Sequence, residues 1–335
     1  MSVPLAPLTT LHLGGPAARL VEAITADGIV AAVREAGDDL LLLGGGSNLV
    51  LADEGWPGTV VLIRSRGVAV EDDLLVAEAG EPWDELVART VADGLGGLEC
   101  LSGIPGLTGA TPVQNVGAYG QDVSDTVRWV DAYDRVADGT VRLPAADCGF
   151  GYRDSLFKHT DRWVVLRVAF ALVPGGKSGP VRYAELARAL GVEIGEVAPL
   201  GDVRDAVLEL RRGKGMVVDP ADPDTWSVGS FFTNPILTPV ELAEFEDRAG
   251  GPYPSWPADD GTKLSAAWLI QRTGFGKGYG GEHVRVSSKH TLALTHRGGG
   301  STAELVALAR EIRDGVAGRF GVALRPEPRL VGVTL

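Results

Sequence analysis

Two glycine-rich stretches could bind a ligand through their backbone. Residues Gly103 to Gly120, GIPGLTGATPVQNVGAYG, contain five glycines and two prolines, which predicts a loop with neither helix nor strand. A loop with so few bulky side chains exposes N–H groups and can approach a phosphate or a flat ring closely. A second cluster, Gly44-Gly45-Gly46-Ser47-Asn48, follows the apolar run Leu40 to Leu43 and predicts a buried strand that ends in a loop. A tight connection between core elements is the alternative for each stretch taken alone.

Three other residues have side chains suited to proton transfer or charge stabilisation. Ser230, in VGSFFTNP, follows a glycine and precedes two aromatic residues. Its residue type alone favours a turn or capping serine. Arg153, in GYRDSLFK, is by itself typical of a surface or ion-paired arginine, and Glu327, in RPEPRLVG, is typical of a solvated charged segment. The residues alone therefore do not decide between structure and catalysis.

These stretches resemble the UDP-N-acetylenolpyruvoylglucosamine reductase family, the MurB family. The matching segments are LLLGGGSNLVLADEGWPGTVV, SGIPGLTGATPVQNVGAYG, FGYRDSLFK and GSFFTNP, and the likeness runs from about residue 9 to residue 333. It implies an α+β protein, with a vanillyl-alcohol-oxidase/PCMH-type two-part FAD-binding domain and a C-terminal α+β substrate-binding domain. Tyr183, in RYAEL, matches the tyrosine-containing, substrate-loop type of the family.

The resemblance also implies an activity. The expected enzyme is an FAD-dependent oxidoreductase that uses NADPH as co-substrate and reduces UDP-N-acetylglucosamine enolpyruvate to UDP-N-acetylmuramate. This step belongs to peptidoglycan precursor synthesis, and hence to cell-wall biogenesis, cell shape and cell division. Rival hypotheses are a flavin oxidase of the same fold that acts on an alcohol, and a non-catalytic module that binds a flavin or a UDP-sugar.

By the same resemblance, Ser230 is the proton donor, and Arg153 and Glu327 stabilise the negative charge of an enolate-like intermediate. The residues expected to bind FAD are Gly44, Gly45, Gly46, Ser47, Asn48, Ile104, Pro105, Gly106, Gly109, Ala110, Gln114, Asn115, Gly117 and Ala118. The residues expected to bind the UDP-sugar are Tyr183, Arg211, Lys214, Asn234, Lys263 and Lys289. An ordinary role at a helix end or in the core stays open for the latter group. The chain departs from the family pattern at Thr233, where lysine is frequent, and at Thr295-His296, where many members end a strand with asparagine.

Alternation of apolar residues and capping signals predict the elements that position these loops. Helices are expected at 29–36, 83–92, 183–190, 203–212 and 264–272, after the capping box Thr238–Glu241, and after the box Ser301–Glu304 with a stop at Gly321. Strands are expected at 40–43, 59–63, 74–79, 127–133 and 163–172. The expected domains are an FAD-binding region at 1–178 (subdomains about 1–65 and 66–178), a linker and substrate-binding domain at 179–322, and a C-terminal strand at 323–335 that returns to the FAD region.

Composition restricts the partners and the compartment. The formal net charge of −13 over 335 residues argues against binding to nucleic acid or to an anionic membrane surface. No apolar run approaches the roughly 20 residues that a membrane span needs, and the N-terminus does not read as an export signal. Cys100 and Cys148 have no metal-ligand spacing and are expected to be buried thiols in a reducing cytoplasm. We therefore expect a cytoplasmic monomer without a metal or membrane insertion.

Overall fold

The α-helices lie where apolar spacing and capping side chains predict them. A computed structural model describes residues 2–335. Its α-helices are α1 (Ala26–Ala36), α2 (Trp83–Ala92), α3 (Ala184–Leu190), α4 (Leu200–Gly213), α5 (Pro239–Ala249), α6 (Ala266–Arg272) and α7 (Thr302–Phe320). Both predicted capping boxes form, and Gly321 ends α7 with a left-handed φ of 72°.

The strands are more numerous than the sequence predicts, and the bounds of the five predicted strands agree with the structure to within three residues. In the amino-terminal half they are β1 (Val3–Pro4), β2 (Pro16–Ala23), β3 (Leu40–Leu43), β4 (Leu49–Leu51), β5 (Trp56–Ile63), β6 (Val68–Glu71), β7 (Leu74–Glu78), β8 (Leu95–Gly96), β9 (Gly117–Ala118), β10 (Gln121–Asp122), β11 (Val127–Asp134), β12 (Gly139–Pro144) and β13 (Trp163–Phe170). They continue with β14 (Val173–Pro174), β15 (Ile236–Leu237), β16 (Ser255–Ala258), β17 (Gly261–Leu264), β18 (Val284–Val286), β19 (Leu294–His296) and β20 (Arg329–Val331).

One compact unit, unit 1, comprises residues 18–45 and 57–217. Its main sheet is antiparallel, with the strand order β12-β11-β13-β7-β6. Strand β3 pairs in parallel with β5, from Leu40 opposite Thr59 to Leu43 opposite Leu62. The Trp83 side chain of α2 is buried against this core and contacts Phe170 of β13, with ring centroids 5.9 Å apart. The glycine-rich loops of unit 1 therefore project from a well-packed sheet.

The other compact unit, unit 2, comprises residues 2–17, 46–56 and 218–335. Its centre is α7, whose predicted stripe of Leu305, Leu308, Ile312 and Val316 is buried. Strand β20 pairs in parallel with β4, so that the end of the chain lies beside residues 49–51. Asp53 accepts hydrogen bonds from the first two amides of α7, at 2.8 and 2.9 Å, which ties the segment after the first glycine loop to the main helix of this unit.

Several expectations are corrected in detail. The stretch 103–120 holds a 3₁₀ turn at Thr108–Ala110 and the two-residue strand β9, so the prediction of neither helix nor strand is wrong there. Both elements are local: β9 pairs with the adjacent β10, and the amide of Ala110 closes the 3₁₀ turn on the carbonyl of Leu107 at 3.0 Å, a tight turn that glycine tolerates. The hairpins β16–β17 and β18–β19, and the strand β15 that pairs with β17, were not predicted from the sequence, because strands of two to four residues are too short to show a period-two pattern. The predicted division at 178/179 and 322/323 stays a prediction.

The two cysteines are buried, as predicted. Both thiols are free of disulfides, and burial raises the pKa of Cys100 to about 12 and that of Cys148 to about 11. Neither can supply a thiolate at neutral pH. Within residues 2–335, no helix has the length and apolar character to cross a membrane, and no group of three or more His, Cys, Asp or Glu side chains is arranged to hold a metal ion.

Two glycines of α7 provide a matched test of its packing. A Cβ at Gly315 would lie 2.5 Å from the ring of Phe275, whereas a Cβ at Gly318 would meet nothing within 4 Å. We expect Gly315→Ala to lower the melting temperature, because overpacking costs about 1–3 kcal/mol against about 1 kcal/mol of helix propensity gained. Gly318→Ala should raise the melting temperature. Calorimetry that found the same change for both variants would contradict the proposed contact.

Candidate active site

The two glycine-rich loops meet in unit 1. A Cβ built on Gly45 would lie 2.8 Å from the Cα atom of Gly106, so the loops touch at a position where neither has a side chain. The side chain of Arg64 donates to the carbonyl of Gly44 at 3.2 Å and supports the first loop from behind. The backbone of Gly106 accepts from the amide of Trp83 at 3.1 Å, which anchors the second loop to α2. The two loops therefore come together at residues 44–45 and 106.

Farther along, the second loop is held against β7. The amides of Thr108 and Gly109 donate to the carbonyls of Glu81 and Ala79, at 2.8 and 2.9 Å. Ile104, Pro105 and Gly106 remain only partly buried, and Ala110 is exposed. Asn115, expected to contact FAD, is 4% exposed, and its side-chain amide joins backbone groups of Gly151 and Ser124 instead. The Asn115 side chain therefore connects the second loop to the backbone at residues 124 and 151.

Arg153 is fixed against the same loop. Its guanidinium donates to the carbonyls of Gly117 at 2.6 Å and Asn115 at 3.5 Å, and lies 3.6 Å from the carboxylate of Asp122. Only 21% of its side chain is exposed, and its φ of 54° is left-handed, which is uncommon for a residue other than glycine. Lys158 donates to the Arg153 carbonyl at 2.6 Å and holds this backbone in place. Arg153 is thus a largely buried arginine, ion-paired with Asp122 and hydrogen-bonded to the second loop.

In unit 2, Ser230 and Glu327 lie on paired segments. The amide of Glu327 donates to the carbonyl of Phe231 at 2.9 Å, and Ser230 forms a bridge with Ala293 on its other side. Phe231 and Phe232 are 0% and 1% exposed, and their rings contact each other edge to face. The two aromatic residues therefore bury the loop in the core while Ser230 and Glu327 stay half-buried. This arrangement is not that of a solvated charged segment.

Three of the expected substrate residues gather around Tyr119 in unit 1. The ring of Tyr183 packs edge to face on Tyr119 at 5.5 Å, and the ammonium of Lys214 lies 5.5 Å from the Tyr119 ring centre and 2.5 Å from Glu185. Burial raises the pKa of Tyr119 to about 12 and lowers that of Arg211 to about 10. Arg211 donates to the carbonyl of Met216, whereas its buried Nε has no hydrogen-bond partner among residues 2–335. An unsatisfied cationic donor of this kind fits an anionic ligand.

The other three expected substrate residues lie in unit 2, each with its own contact. The Asn234 side chain accepts from the amide of Ala266 at 3.0 Å, at the start of α6. Lys263 stands on β17 between Ile236 and Trp256 of the flanking strands. Lys289 forms an ion pair with Asp222 at 2.5 Å, and this contact raises the pKa of Lys289.

Comparison with known proteins decides the family. The chain is 61% identical to the UDP-N-acetylenolpyruvoylglucosamine reductase of Salinispora arenicola, over 99% of this chain and 95% of that protein. It is 58% identical to the reductase of the same name from Thermobifida fusca, over 100% and 98%. The chain belongs to the UDP-N-acetylenolpyruvoylglucosamine reductase family. The predicted resemblance is thereby confirmed.

Domain and fold comparisons agree with this membership. A family model described as an FAD binding domain matches residues 17–143 of the reductase, and the model of the family's C-terminal domain matches residues 220–331. The crystal structure of the Thermus caldophilus family member has the same fold, with a TM-score of 0.70 over 99% of this chain and 98% of that chain at 23% identity. The reductase is therefore an FAD-dependent oxidoreductase with the predicted α+β fold.

The residues of the two loops fit the cofactor. Gly44, Gly45 and Gly106 offer backbone without side chains, and all three are only partly buried. A pyrophosphate bound by main-chain amides needs such access, since a Cβ would keep it at a distance. With a net charge of −13, the reductase would otherwise repel this anion.

Sequence reasoning missed two contributors to these sites. Tyr119 forms the platform on which Tyr183 and Lys214 meet, and its only signal was an aromatic residue inside a glycine-rich loop. Asp224 is 5% exposed and accepts from the amide and hydroxyl of Ser288, at 3.0 and 2.5 Å, with Arg297 at 3.3 Å. Burial opposes ionisation of Asp224, but the Ser288 hydrogen bonds and the Arg297 charge outweigh it and lower the pKa. Nothing in the local pattern indicated this brace.

Gly117 provides a test of the Arg153 support. A Cβ at Gly117 would lie 1.6 Å from the Asp122 carboxylate and 3.0 Å from the Arg153 guanidinium, whereas a Cβ at Gly179 would meet nothing within 4 Å. We expect Gly117→Ala to displace both side chains, to cost about 1–3 kcal/mol of stability and to lower kcat/KM. Gly179→Ala should match the wild type in denaturant unfolding and in turnover. Equal behaviour of the two variants would rule out the contact.

His296, in the Thr295-His296 pair where the chain departs from the family pattern, has both ring nitrogens in hydrogen bonds. Its Nδ1 donates to the carbonyl of Leu11 at 2.9 Å, and its Nε2 accepts from the amide of Gly300 at 3.2 Å, which fixes the neutral form. Burial lowers its pKa, and the neighbouring His12 and His283 act in the same direction, against Leu11 and Glu304. An asparagine could also donate and accept once each, without a titratable group.

The pH dependence of stability tests this role. Because the folded-state pKa of His296 lies below its unfolded value of about 6.5, the unfolded chain binds more protons in acid. The free energy of unfolding should therefore fall as the pH drops below about 6.5, and His296→Asn should flatten that slope. Urea unfolding of both proteins at a series of pH values measures the difference. Parallel curves would show that His296 does not titrate as described.

Proposed function

We propose that this reductase uses NADPH to reduce UDP-N-acetylglucosamine enolpyruvate to UDP-N-acetylmuramate, with Ser230, Arg153 and Glu327 as the catalytic residues. The observation that carries the proposal is the hydrogen bond from the Glu327 amide to the Phe231 carbonyl, which joins two segments far apart in sequence. We further propose that the protein acts as a cytoplasmic monomer.

The two glycine-rich loops around Gly45 and Gly106 would hold FAD, which would supply the hydride, taken from NADPH, that C3 of the enolpyruvyl group accepts. Negative charge then develops over C2 and the substrate carboxylate. Arg153 stabilises this charge with its guanidinium, whose orientation is already set by Gly117. Glu327, when protonated, donates to the same carboxylate. Each such aimed donor contributes about 3–4 kcal/mol to lowering a barrier.

Ser230 completes the reaction by delivering a proton to C2, so that the double bond gains one hydride and one proton. A serine hydroxyl is a weak acid, and its effectiveness depends on position and on the basicity of the carbanion. The burial of Phe231 and Phe232 on one side of the hydroxyl supports such positioning.

The substrate nucleotide requires local cations in a protein of net charge −13. Arg211 and Lys214 supply them in unit 1, and the unsatisfied Nε of Arg211 would donate to a phosphate oxygen. Tyr183, which is 46% exposed, supplies a ring that can cover the bound diphosphate. In unit 2 we assign Asn234, Lys263 and Lys289 to the same ligand.

Separate half-reactions test the role of Ser230. We expect anaerobic NADPH to bleach the flavin of Ser230→Ala about as fast as that of the wild type, while reoxidation by the enolpyruvyl substrate slows about 10²- to 10⁴-fold through loss of the proton donor. Stopped-flow absorbance measures both rates. As a control, Ser301→Ala removes the cap of α7, at a cost of about 1 kcal/mol of stability, and should leave both rates unchanged.

Other outcomes identify the rival functions. A flavin that an alcohol bleaches and NADPH does not would indicate an oxidase. A wild-type protein whose flavin neither NADPH nor an alcohol reduces would indicate a binding module. Normal reoxidation of Ser230→Ala would assign the proton to another donor.

A further inference from the structure

Thr10 joins two segments of unit 2 that the proposed reaction uses. Its amide donates to the carbonyl of Gly46 at 3.1 Å, and its hydroxyl donates to the carbonyl of Ser227 at 2.6 Å. The hydroxyl oxygen also lies 3.3 Å from the Gly46 carbonyl, but it carries a single proton and the Ser227 contact is much the shorter. Gly46 belongs to the first glycine loop, and Ser227 precedes Ser230 by three residues. Thr10 therefore connects the first glycine loop directly to the segment that precedes Ser230.

Ser227 carries this connection towards the proposed proton donor. Its hydroxyl accepts from the amide of Gly229 at 3.1 Å, and the residue is 5% exposed. Gly229 has a left-handed φ of 75°, which sets the sharp turn immediately before Ser230. The chain of hydrogen bonds thus runs from Gly46 through Thr10 and Ser227 to the residue next to Ser230.

The segment that carries Thr10 is itself held closely. A Cβ at Gly46 would lie 2.2 Å from the Leu8 carbonyl oxygen and 2.7 Å from the Thr9 Cα, so the amino-terminal segment packs directly on the first loop. On its other side, Leu11 is 1% exposed and its carbonyl accepts from His296. Because the segment around Thr10 is closely packed on both sides, Thr10 has little room to move, and its hydrogen bonds therefore fix the position of Ser227 relative to Gly46.

We propose that Thr10 is a positioning residue, which holds the Ser230 loop in register with the first glycine loop through its hydroxyl. The inference rests on the proposed function, because it concerns the proton that Ser230 delivers. Proton transfer needs heavy atoms within about 2.6–3.2 Å, and a displacement of about 1 Å can cost about 100-fold in rate. One hydrogen bond at the base of the Ser230 loop can therefore control the second half-reaction without touching the substrate.

The test compares Thr10→Val, which keeps the shape and removes the hydroxyl, with Thr10→Ser, which restores the hydroxyl. We expect Thr10→Val to slow reoxidation by the enolpyruvyl substrate about 10- to 100-fold, with NADPH reduction of the flavin within about twofold of the wild type. Thr10→Ser should recover reoxidation to within about threefold. Thr273→Val is the matched control, since Thr273 also donates to a backbone carbonyl, that of Leu269 at 2.7 Å, at the end of α6. It should leave both rates unchanged.

A second measurement uses the protein without flavin. Amide hydrogen exchange of the Ser227–Phe231 segment should accelerate at least threefold in Thr10→Val, and not in Thr10→Ser or Thr273→Val. Unchanged reoxidation and exchange in Thr10→Val would overturn the proposal, as would a Thr10→Ser variant as slow as Thr10→Val. If Thr10→Val slowed both half-reactions equally and lost its flavin, Thr10 would have only a structural role, and the proposal would be wrong. If the wild type itself failed to react, the proposed function would fall, while the exchange result would still report on the Thr10 connection.

Discussion

Within each unit, glycines approach neighbouring segments so closely that a Cβ atom would not fit. In unit 1, Gly45 approaches the backbone of Gly106, and Gly117 lies beneath the side chain of Arg153. In unit 2, Gly46 lies against the backbone of Leu8. A Cβ atom at any of these positions would lie closer than 3.0 Å to a neighbouring atom, so a larger residue would force the segments to shift. Glycine is costly in conformational entropy, and it is retained where close approach requires it.

The surrounding cores supply the stability that such loops cannot provide for themselves. Phe231 and Phe232 are fully buried, and a buried aromatic side chain contributes about 1.5–3 kcal/mol relative to an exposed one. Placing two of them directly after Ser230 fixes the serine backbone while its own side chain stays half-buried. Arg153 is fixed differently, by hydrogen bonds from its guanidinium to the second loop. Each unit thus orients its own catalytic candidates through its own packing.

The binding of anionic ligands likewise requires positive groups placed locally. The reductase carries a net charge of −13, yet the family's ligands are anionic, so binding depends on a few placed cations and on backbone amides. Arg211 stays charged at neutral pH although burial lowers its pKa to about 10. Its unsatisfied Nε concentrates positive potential where water has limited access, which strengthens its attraction for an anion.

The local sequence pattern was enough to predict the helices and strands that have a clear apolar periodicity or a capping box. The bounds of α2 and β3 were predicted to the residue, and the two capping boxes marked the starts of α5 and α7, because period and capping are local properties. Short hairpins such as β18–β19 were not predicted, because a strand of three residues is too short to show an alternation of apolar and polar side chains. The motifs around Gly44, Gly103, Arg153 and Ser230 identified the family from the sequence, which the comparisons confirm.

By itself, therefore, the sequence determined the fold class, the family and the chemical types of the candidate residues. Only the tertiary structure decided which backbone groups hold them: that Glu327 pairs beside Ser230, that Asn115 braces the Arg153 loop, and that Thr10 bridges Gly46 and Ser227. These partners are separated by up to 217 residues, and no periodicity or spacing encodes a contact at that range. It arises only when separate elements bury their apolar faces together, since that packing fixes which distant carbonyls and amides can meet.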